Sequence, residues 1–599
     1  MAPRINEFNL HVATVNGSGS QTANNTLLRA IFQMGVPVSG KNLFPSNIAG
    51  LPTWFTIRVN EAGHLARQKR NDFLVAMNPE TSVQDIAAMG PGSVVLMNEG
   101  VPAPKVADGA YSAVIPFSKL VEPLVADVKL RRLVVNMIYV GVVAQMLGIE
   151  RTEVDRALES QLGRKPKALA MNRAAVDAGF AYAAANLKPA PFRVERRDKT
   201  EGKILVDGNQ AAALGAVMGG VTFVAWYPIT PSSSLAEALQ GFLERYRHDP
   251  ETKKATYAIV QAEDEISAIG MVLGAAWTGA RAMTATSGPG LSLMTEFTGY
   301  GYYAEIPAVL WDIQRIGPST GLPTRTSQGD LLSVAFLSHG DTRHVMLFPA
   351  TVRDCYDFGM RAFDLAERLQ TPVFVMSDLD LGMNVSMSDP FPYPDAPWDR
   401  GKVLTAEDLE KLGRFERYRD VDGDGIPYRT VPGTPHPLAA YFTRGSGHDE
   451  AAGYSESSEA YPRVMDRLVK KWETARSWVP KPVVDEAKGA TAAIVAYGSS
   501  HGAVEEAREI LRADGIETSS LLVRAYPFTE EVARFVGRHD RVYVVEQNRD
   551  AQMRGLLAME YPERAARLRS ILHYDGLPLD AQTVADGVRS GEREEVAAR

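Results

Sequence analysis

The chain has 599 residues, 64 Lys and Arg against 72 Asp and Glu, and a formal net charge of −8. That length predicts several domains rather than one core, and a composition 45% hydrophobic and 23% charged excludes wholesale disorder. The acidic balance excludes nucleic-acid binding built on phosphate neutralisation. Its one cysteine, Cys355, can form no disulfide framework and cannot supply the thiolate set of an iron–sulfur cluster, so any cluster belongs on another chain.

In chain order, MAPRINEFNLHVATVNG lacks the apolar core and small-residue cleavage site of a secretory signal. Strands are predicted over 8–15, 72–77 and 93–98 and a helix over 21–34, an α/β pattern with a mostly parallel sheet that extends to about residue 180. The most apolar stretch, Leu133–Leu147, is fifteen residues long and carries Asn136 and Gln145. A membrane span needs about 20 apolar residues, so this segment reads as a buried core helix, and the chain as cytoplasmic with no membrane contact.

A first domain is expected over 1–185. Residues 186–203, with two prolines and a run of charges, read as a linker. A second α/β domain spans 204–386, with strands at 222–225, 257–261, 282–285, 308–313, 345–348 and 373–376. Residues 387–488 read as an irregular insertion or wrapping segment, ending in an amphipathic helix at 462–473. A third, small α/β domain spans 489–590, with strands at 491–497, 518–523 and 541–546. The charged tail 591–599 is expected to fray.

Five segments carry candidate chemistry. Gly17–Gln21, between a strand and a helix, can offer backbone N–H groups to an anion, or is a tight βα turn. It has neither the third glycine of a dinucleotide fingerprint nor a Gly-Lys-Ser/Thr ending. In Trp226–Ser234 (WYPITPSSS), Pro228 and Pro231 fix an extended turn presenting Thr230 at a helix start. Pro231 is expected in the first helical turn, with Thr230 or Ser232 as cap. Glu263, Asp264 and Glu265 open a helix of small side chains, as a solvated N-terminus or, for one of them enclosed against a ring nitrogen, as a reactive group. Thr286–Gly290 (TSGPG) is a rigid strand-to-helix turn. Gln314–Thr326 brings Arg315 and Arg325 together with several hydroxyls, a set suited to a carboxylate or to solvent. Such loops at strand C-termini of one domain can share a pocket.

YPITPSS, AEDEISAIG, TSGPG and RIGPSTGLPTRTSQGDL, in this order, resemble the α subunit of 2-oxoacid:ferredoxin oxidoreductases, most closely the 2-oxoglutarate branch with its γ domain fused ahead of the α part. The resemblance implies three α/β domains, among them a thiamine diphosphate pyrimidine-binding domain. VVEQNRDAQMRGLL belongs, by the same resemblance, to a transketolase C-terminal-like domain. It implies decarboxylation of a 2-oxoacid on thiamine diphosphate, single electrons passed through a [4Fe–4S] cluster to ferredoxin, and an acyl group taken by coenzyme A. Glu265 resembles the glutamate that contacts N1′ of the aminopyrimidine, with Tyr227, Pro228 and Ile229 beside the cofactor. Thr230, Arg315 and Thr320 resemble the ligands of the 2-oxo carboxylate, and Arg325 is matched to the distal carboxylate of 2-oxoglutarate. Gly17, Gly19, Ser46 and Asn47 in the γ-like domain are candidates for coenzyme A contact or active-site closure.

Thiamine enzymes hold Mg²⁺ and the diphosphate with a Gly-Asp-Gly followed by Asn. The only such triplet, Gly423–Gly425, follows no apolar strand, so the diphosphate half, Mg²⁺ and the cluster are expected on a β subunit, in an αβ dimer of dimers. Asp420, Asp422 and Asp424 copy the first half of a calcium loop whose last position is Val431 rather than Glu, leaving a weak Ca²⁺ or Mg²⁺ site or a solvated turn. The alternatives are a pyruvate or branched-chain specificity, a transketolase-type enzyme without cluster electron transfer, and a non-enzymatic binding subunit.

Overall fold

A computed structural model describes residues 3–45 and 50–598. The chain forms two compact units, Met1–Val206 with Asn384–Pro390, and Asp207–Met383 with Phe391–Arg599. Both are α/β, as expected.

The first unit is built on an eight-stranded sheet that is mixed rather than mostly parallel. Phe73–Ala76 runs parallel to Glu7–Val15, followed outward by Val94–Asn98 and Tyr111–Ile115. On its other side Pro52–Asn60 and Val38–Leu43 form an antiparallel ribbon, and Val385–Ser388 adds to its edge. The apolar segment is a 20-residue helix, Val128–Leu147, longer than the sequence predicts. Asp127 caps it by accepting from the Lys129 and Leu130 N–H groups, and Gly148 ends it at φ 72°. By length and composition it could cross a membrane, but 67% of its apolar window is buried in the unit. It packs on Pro166–Asn186 at a glycine pair: a Cβ on Gly141 would stand 2.1 Å from the Val176 carbonyl, and one on Gly179 2.1 Å from that of Ile138.

Residues 186–203 are not a free linker. Phe192–Arg193 pairs with Arg4–Ile5, and the charges find partners: Arg196 with Glu150 at 2.6 Å and Glu153 at 2.7 Å, Arg197 with Glu61 at 3.0 Å.

In the second unit a parallel sheet is ordered Ala258–Gln261, Phe223–Trp226, Ala282–Thr286, Ala308–Ile316, Pro372–Asp378, Val345–Leu347, and Ala525–Tyr526 from the C-terminal part closes it antiparallel. The chain passes from Phe223–Trp226 to the edge strand and back to its other side, a topological switch point of the kind that places ligands at strand C-termini. A second sheet, ordered Val483–Asp485, Thr518–Leu522, Ala492–Ala496, Arg541–Glu546, Leu568–Leu572, forms the C-terminal lobe. Gln328 joins the two: its Oε1 accepts from Ser500 Oγ at 3.0 Å and the Gln547 N–H at 3.1 Å, and Ser499 Oγ donates to Asp378 at 2.6 Å. His501 opens the next helix and lies 3.4 Å from Glu505.

The segment from 391 wraps this unit through buried ion pairs. Glu367 receives Arg281 at 2.9 Å, Arg400 at 2.7 Å and Arg429 at 3.1 Å. Glu305 receives Arg467 and Lys471 from the helix Ala460–Ala475. The tail is not frayed at its start either. The last helix runs Ala581–Ala598, and Glu592 within it binds Arg541 at 2.7 Å. The calcium-like loop pairs with cations of this chain. Lys402 sits 2.7 Å from Asp422 and 2.8 Å from Asp424, and Lys470 3.2 Å from Asp420. Ammonium groups thus neutralise the acids a cation would need, and among the described residues no cluster of His, Cys, Asp and Glu could hold a metal ion.

Candidate active site

The turn after Phe223–Trp226 leaves Tyr227 and Pro228 exposed and Ile229 and Thr230 half-buried. Pro231 precedes the helix Ser233–Tyr246 rather than joining its first turn, and the Thr230–Pro231 bond is cis. Neither Thr230 nor Ser232 caps by its side chain. The turn is closed instead by Ser233, whose Oγ accepts from the Ile229 N–H at 3.0 Å, and by the Ile229 carbonyl, which accepts from the Ser232 and Ser233 N–H groups.

The three acids after Ala258–Gln261 separate by function. Glu263 is exposed. Asp264 caps the helix Glu265–Trp277 by accepting from the Ser267 N–H at 2.7 Å. Glu265, the first helical residue, is 6% exposed and turns inward. Burial holds its carboxyl above the ordinary value, its own backbone N–H opposes this, Asp264 adds to it, and Arg315 opposes it. Among the described residues no other side chain donates to it.

Glu265 lies against the TSGPG turn, which opens the helix Gly288–Tyr303. A Cβ on Gly290 would stand 2.0 Å from Thr286 Oγ1, 2.8 Å from Glu265 Cγ and 3.0 Å from Glu265 Oε1. Gly290→Ala is therefore expected to displace the Thr286 hydroxyl and the Glu265 carboxylate and to destabilise the unit by about 1–3 kcal/mol, as overpacking does. Thermal unfolding of the variant beside the wild type checks this.

Arg315 is not on a loop but near the end of Ala308–Ile316, where it pairs in register with Thr326 of an unpredicted return strand, Leu322–Thr326. Its guanidinium donates to the Thr230 carbonyl at 2.6 Å and the Thr320 carbonyl at 3.1 Å, while Nε has no partner. Burial lowers its pKa, and the carboxylates of Asp330 and Glu265 oppose that.

The fold thus gathers Glu265, Thr230, Arg315 and Thr320. Arg325 stands on the return strand beside Gly576, and its guanidinium folds back to the Thr324 carbonyl at 2.9 Å and hydroxyl at 3.1 Å. In the first unit, Gly17 and Gly19 form a turn at φ 82° and 84°, its Ser18 carbonyl accepting from Asn136 at 2.6 Å. Ser46 and Asn47 lie outside the described residues.

Two residues that sequence reasoning passed over adjoin the site. Asp312 is fully buried in Ala308–Ile316, level with Thr286. Asp330 precedes the short helix Leu331–Ala335. Burial and the Asp330 charge push Asp312 well above the ordinary value, and burial pushes Asp330 up to about 6. The available signal is an acid following the apolar start of a strand, AVLWD in AVLWDIQRI, which is rare without a partner.

The donor set fits the aminopyrimidine half of thiamine diphosphate. A buried carboxyl of raised pKa, with no other side chain bonded to it and packed closely against Gly290, suits a ring nitrogen.

Comparison with known proteins agrees. Residues 214–400 match the family model described as pyruvate flavodoxin/ferredoxin oxidoreductase, thiamine diphosphate-binding, and residues 9–182 match that of pyruvate ferredoxin/flavodoxin oxidoreductase. The chain is 31% identical to 2-oxoacid:ferredoxin oxidoreductase 1, subunit alpha, of Aeropyrum pernix, over 97% of this chain and 96% of the relative. It is 36% identical to 2-oxoglutarate synthase subunit KorA of Methanothermobacter thermautotrophicus, over 57% of this chain and 87% of the relative. Its fold matches a 2-oxoglutarate:ferredoxin oxidoreductase from Magnetococcus marinus, solved with 2-oxoglutarate, coenzyme A and succinyl-CoA bound, at TM-score 0.87 and 27% identity, over 98% of this chain and 99% of that one. Similarity at this level along nearly the whole length makes the chain a member of the 2-oxoacid:ferredoxin oxidoreductase α-subunit family, a family of oxidoreductases.

Proposed function

We propose that the chain is the α subunit of a 2-oxoglutarate:ferredoxin oxidoreductase, interconverting 2-oxoglutarate plus coenzyme A with succinyl-CoA plus CO₂ while electrons pass to or from ferredoxin. The observation that carries this reading is the buried Arg315 guanidinium. Backbone carbonyls of Thr230 and Thr320 hold it beside Glu265, with Nε left without a partner. The KorA relative and the Magnetococcus structure favour 2-oxoglutarate; the broader names of the other relatives favour a wider 2-oxoacid range as the second reading.

Thiamine diphosphate, when bound, supplies the carbon nucleophile that attacks the 2-oxo carbon. Glu265 holds a proton at the aminopyrimidine nitrogen through a charge-assisted hydrogen bond shielded from water. Arg315 binds and orients the 2-oxo carboxylate, with the Thr230 hydroxyl beside it, and Arg325 is assigned to the distal carboxylate. We place the diphosphate, Mg²⁺ and a [4Fe–4S] cluster on a β partner. That assignment is supported by the single cysteine, Cys355, being buried, and by Lys402 pairing at 2.8 Å with Asp424 of the Gly423–Gly425 triplet.

The test is to co-express the chain with its β partner and follow coenzyme A-dependent reduction of a low-potential dye with 2-oxoglutarate, pyruvate and branched-chain 2-oxoacids. We expect 2-oxoglutarate to be preferred; preference for pyruvate would overturn the substrate, and no reduction with any acid the activity. Arg315→Lys is expected to raise KM for the preferred acid about 10- to 100-fold with a smaller change in kcat, because an ammonium cannot reproduce the planar fork.

A further inference from the structure

Neither carboxyl oxygen of the fully buried Asp312 meets a donor among the described residues. The Asp330 carboxyl shares this enclosure: its Oδ2 is likewise buried without a partner, it lies against Gly288, two positions beyond the Thr286 that pairs with Asp312, and its charge raises Asp312. Two ionised carboxylates are both acceptors and repel, so the pair must keep a proton. Its location is set by the surroundings. Asp330 presses on the first turn of Gly288–Tyr303, where a Cβ on Gly288 would stand 2.8 Å from its Oδ2, and its own N–H donates to Gln314 Oε1 at 3.2 Å. A negative charge is favoured at that helix end and beside Arg315, so the charge rests on Asp330 and the proton on Asp312.

The neighbouring elements add few other charges. Ala282–Thr286 contributes the hydroxyls of Thr284 and Thr286, and its following turn that of Ser287. Pro372–Asp378 brings Asp378 level with Gln314, where Ser499 bonds it. The helix Glu265–Trp277 brings Glu265, which acts on the pair through Arg315. With Glu265 bonded to the aminopyrimidine nitrogen as proposed, Asp330 and Arg315 carry one negative and one positive charge. A bound carboxylate would leave one net negative charge in a site shielded from water.

We propose that a 2-oxoacid carboxylate landing on Arg315 draws a proton from solution onto the Asp312–Asp330 pair, restoring the charge balance. The inference rests on the reading of Arg315 as the carboxylate anchor. Linkage makes the effect reciprocal: protonating the pair strengthens anion binding, so affinity improves as pH falls toward the titration of Asp330 near 6 and levels off below it. The slope is at most about tenfold per pH unit.

The probe is 2-hydroxyglutarate, which carries the same carboxylates but no ketone to attack. Titrated calorimetrically into the assembled αβ complex near pH 7, in buffers of different protonation enthalpy, it is expected to bind with uptake of up to about one proton per site. In Asp330→Asn the uptake should vanish and the affinity become flat with pH. Infrared spectra of the unliganded complex should show a protonated-carboxyl band that disappears in Asp312→Asn, a readout that stands even if Asp330→Asn fails to fold. Absence of that band, binding without uptake, or undiminished uptake in Asp330→Asn would overturn the proposal. If Arg315→Lys leaves 2-hydroxyglutarate affinity unchanged, the anchor reading fails. If affinity falls in that variant while the wild type takes up no proton, the proton inference alone fails.

Discussion

Glu265→Gln in the assembled enzyme is expected to lower kcat about 10²–10⁴-fold, the usual range for loss of a positioned general acid–base group. The change is nearly isosteric and removes only ionisation. The capping bond of Asp264 to Ser267 is untouched, and the space left by Gly290 accepts an amide as readily as a carboxylate. Thermal unfolding should therefore shift little, or even rise, because burial already penalises the charged form of Glu265. This combination separates chemistry from structure. Dye reduction and circular dichroism on the same preparation read both, and near-normal turnover in Glu265→Gln would remove this residue from its assigned place. Glu265→Asp should be almost as inactive, since the shorter arm withdraws the carboxylate from the ring nitrogen.

Much of this site was legible in the sequence, because each of its parts is local. A strand end, a proline-braced turn and a helix start occupy consecutive residues, so WYPITPSS, AEDEISAIG and TSGPG announce both their geometry and their order. What was not legible depends on partners distant in the chain. The charge run at 195–199 reads as solvated linker until Glu150 and Glu61 arrive from elsewhere in the fold to pair with Arg196 and Arg197. The acids of DVDGDG read as a weak cation site or a solvated turn until Lys402 and Lys470 pair with them. Asp312 and Asp330 are 18 positions apart, and only the fold, through the Asp330 N–H bonded to Gln314 Oε1, brings them together. Pro52–Asn60 has the β-branched and aromatic composition of a strand, but its antiparallel pairing with Glu7–Val15, which turns the sheet from parallel to mixed, is set only by the fold.

Glu305→Gln is expected to destabilise the second unit by about 3–5 kcal/mol, the cost of removing one partner from a buried ion pair. Glu305 follows the helix Gly288–Tyr303, is 1% exposed and holds φ 57°, a left-handed conformation kept only where the surroundings enforce it. Its carboxylate accepts from Arg467 at 3.0 and 2.5 Å and from Lys471 at 2.7 Å, while its carbonyl accepts from Arg417 at 2.9 Å. A neutral amide there strands two buried cations. Lys471, already lowered to about 8 by burial, loses the charge that opposes this and sheds its proton more readily. Glu305→Gln with Lys471→Met should thus recover part of the loss. The sign with pH follows from Glu305 being depressed to about 2 from 4.5, the Arg467 and Lys471 charges outweighing its burial. Its contribution is complete above about pH 4.5 and is lost as pH falls through about 2. The gap in unfolding midpoint between wild type and Glu305→Gln should therefore be full at pH 7 and close in that acid window; a gap independent of pH would show that packing, not charge, holds the segment. The helix whose last turn this clamp secures is the one whose first turn seats Glu265 and Asp330. The wrapping segment, which carries none of the proposed chemistry, thus holds one end of the helix against which Glu265 and Asp330 lie.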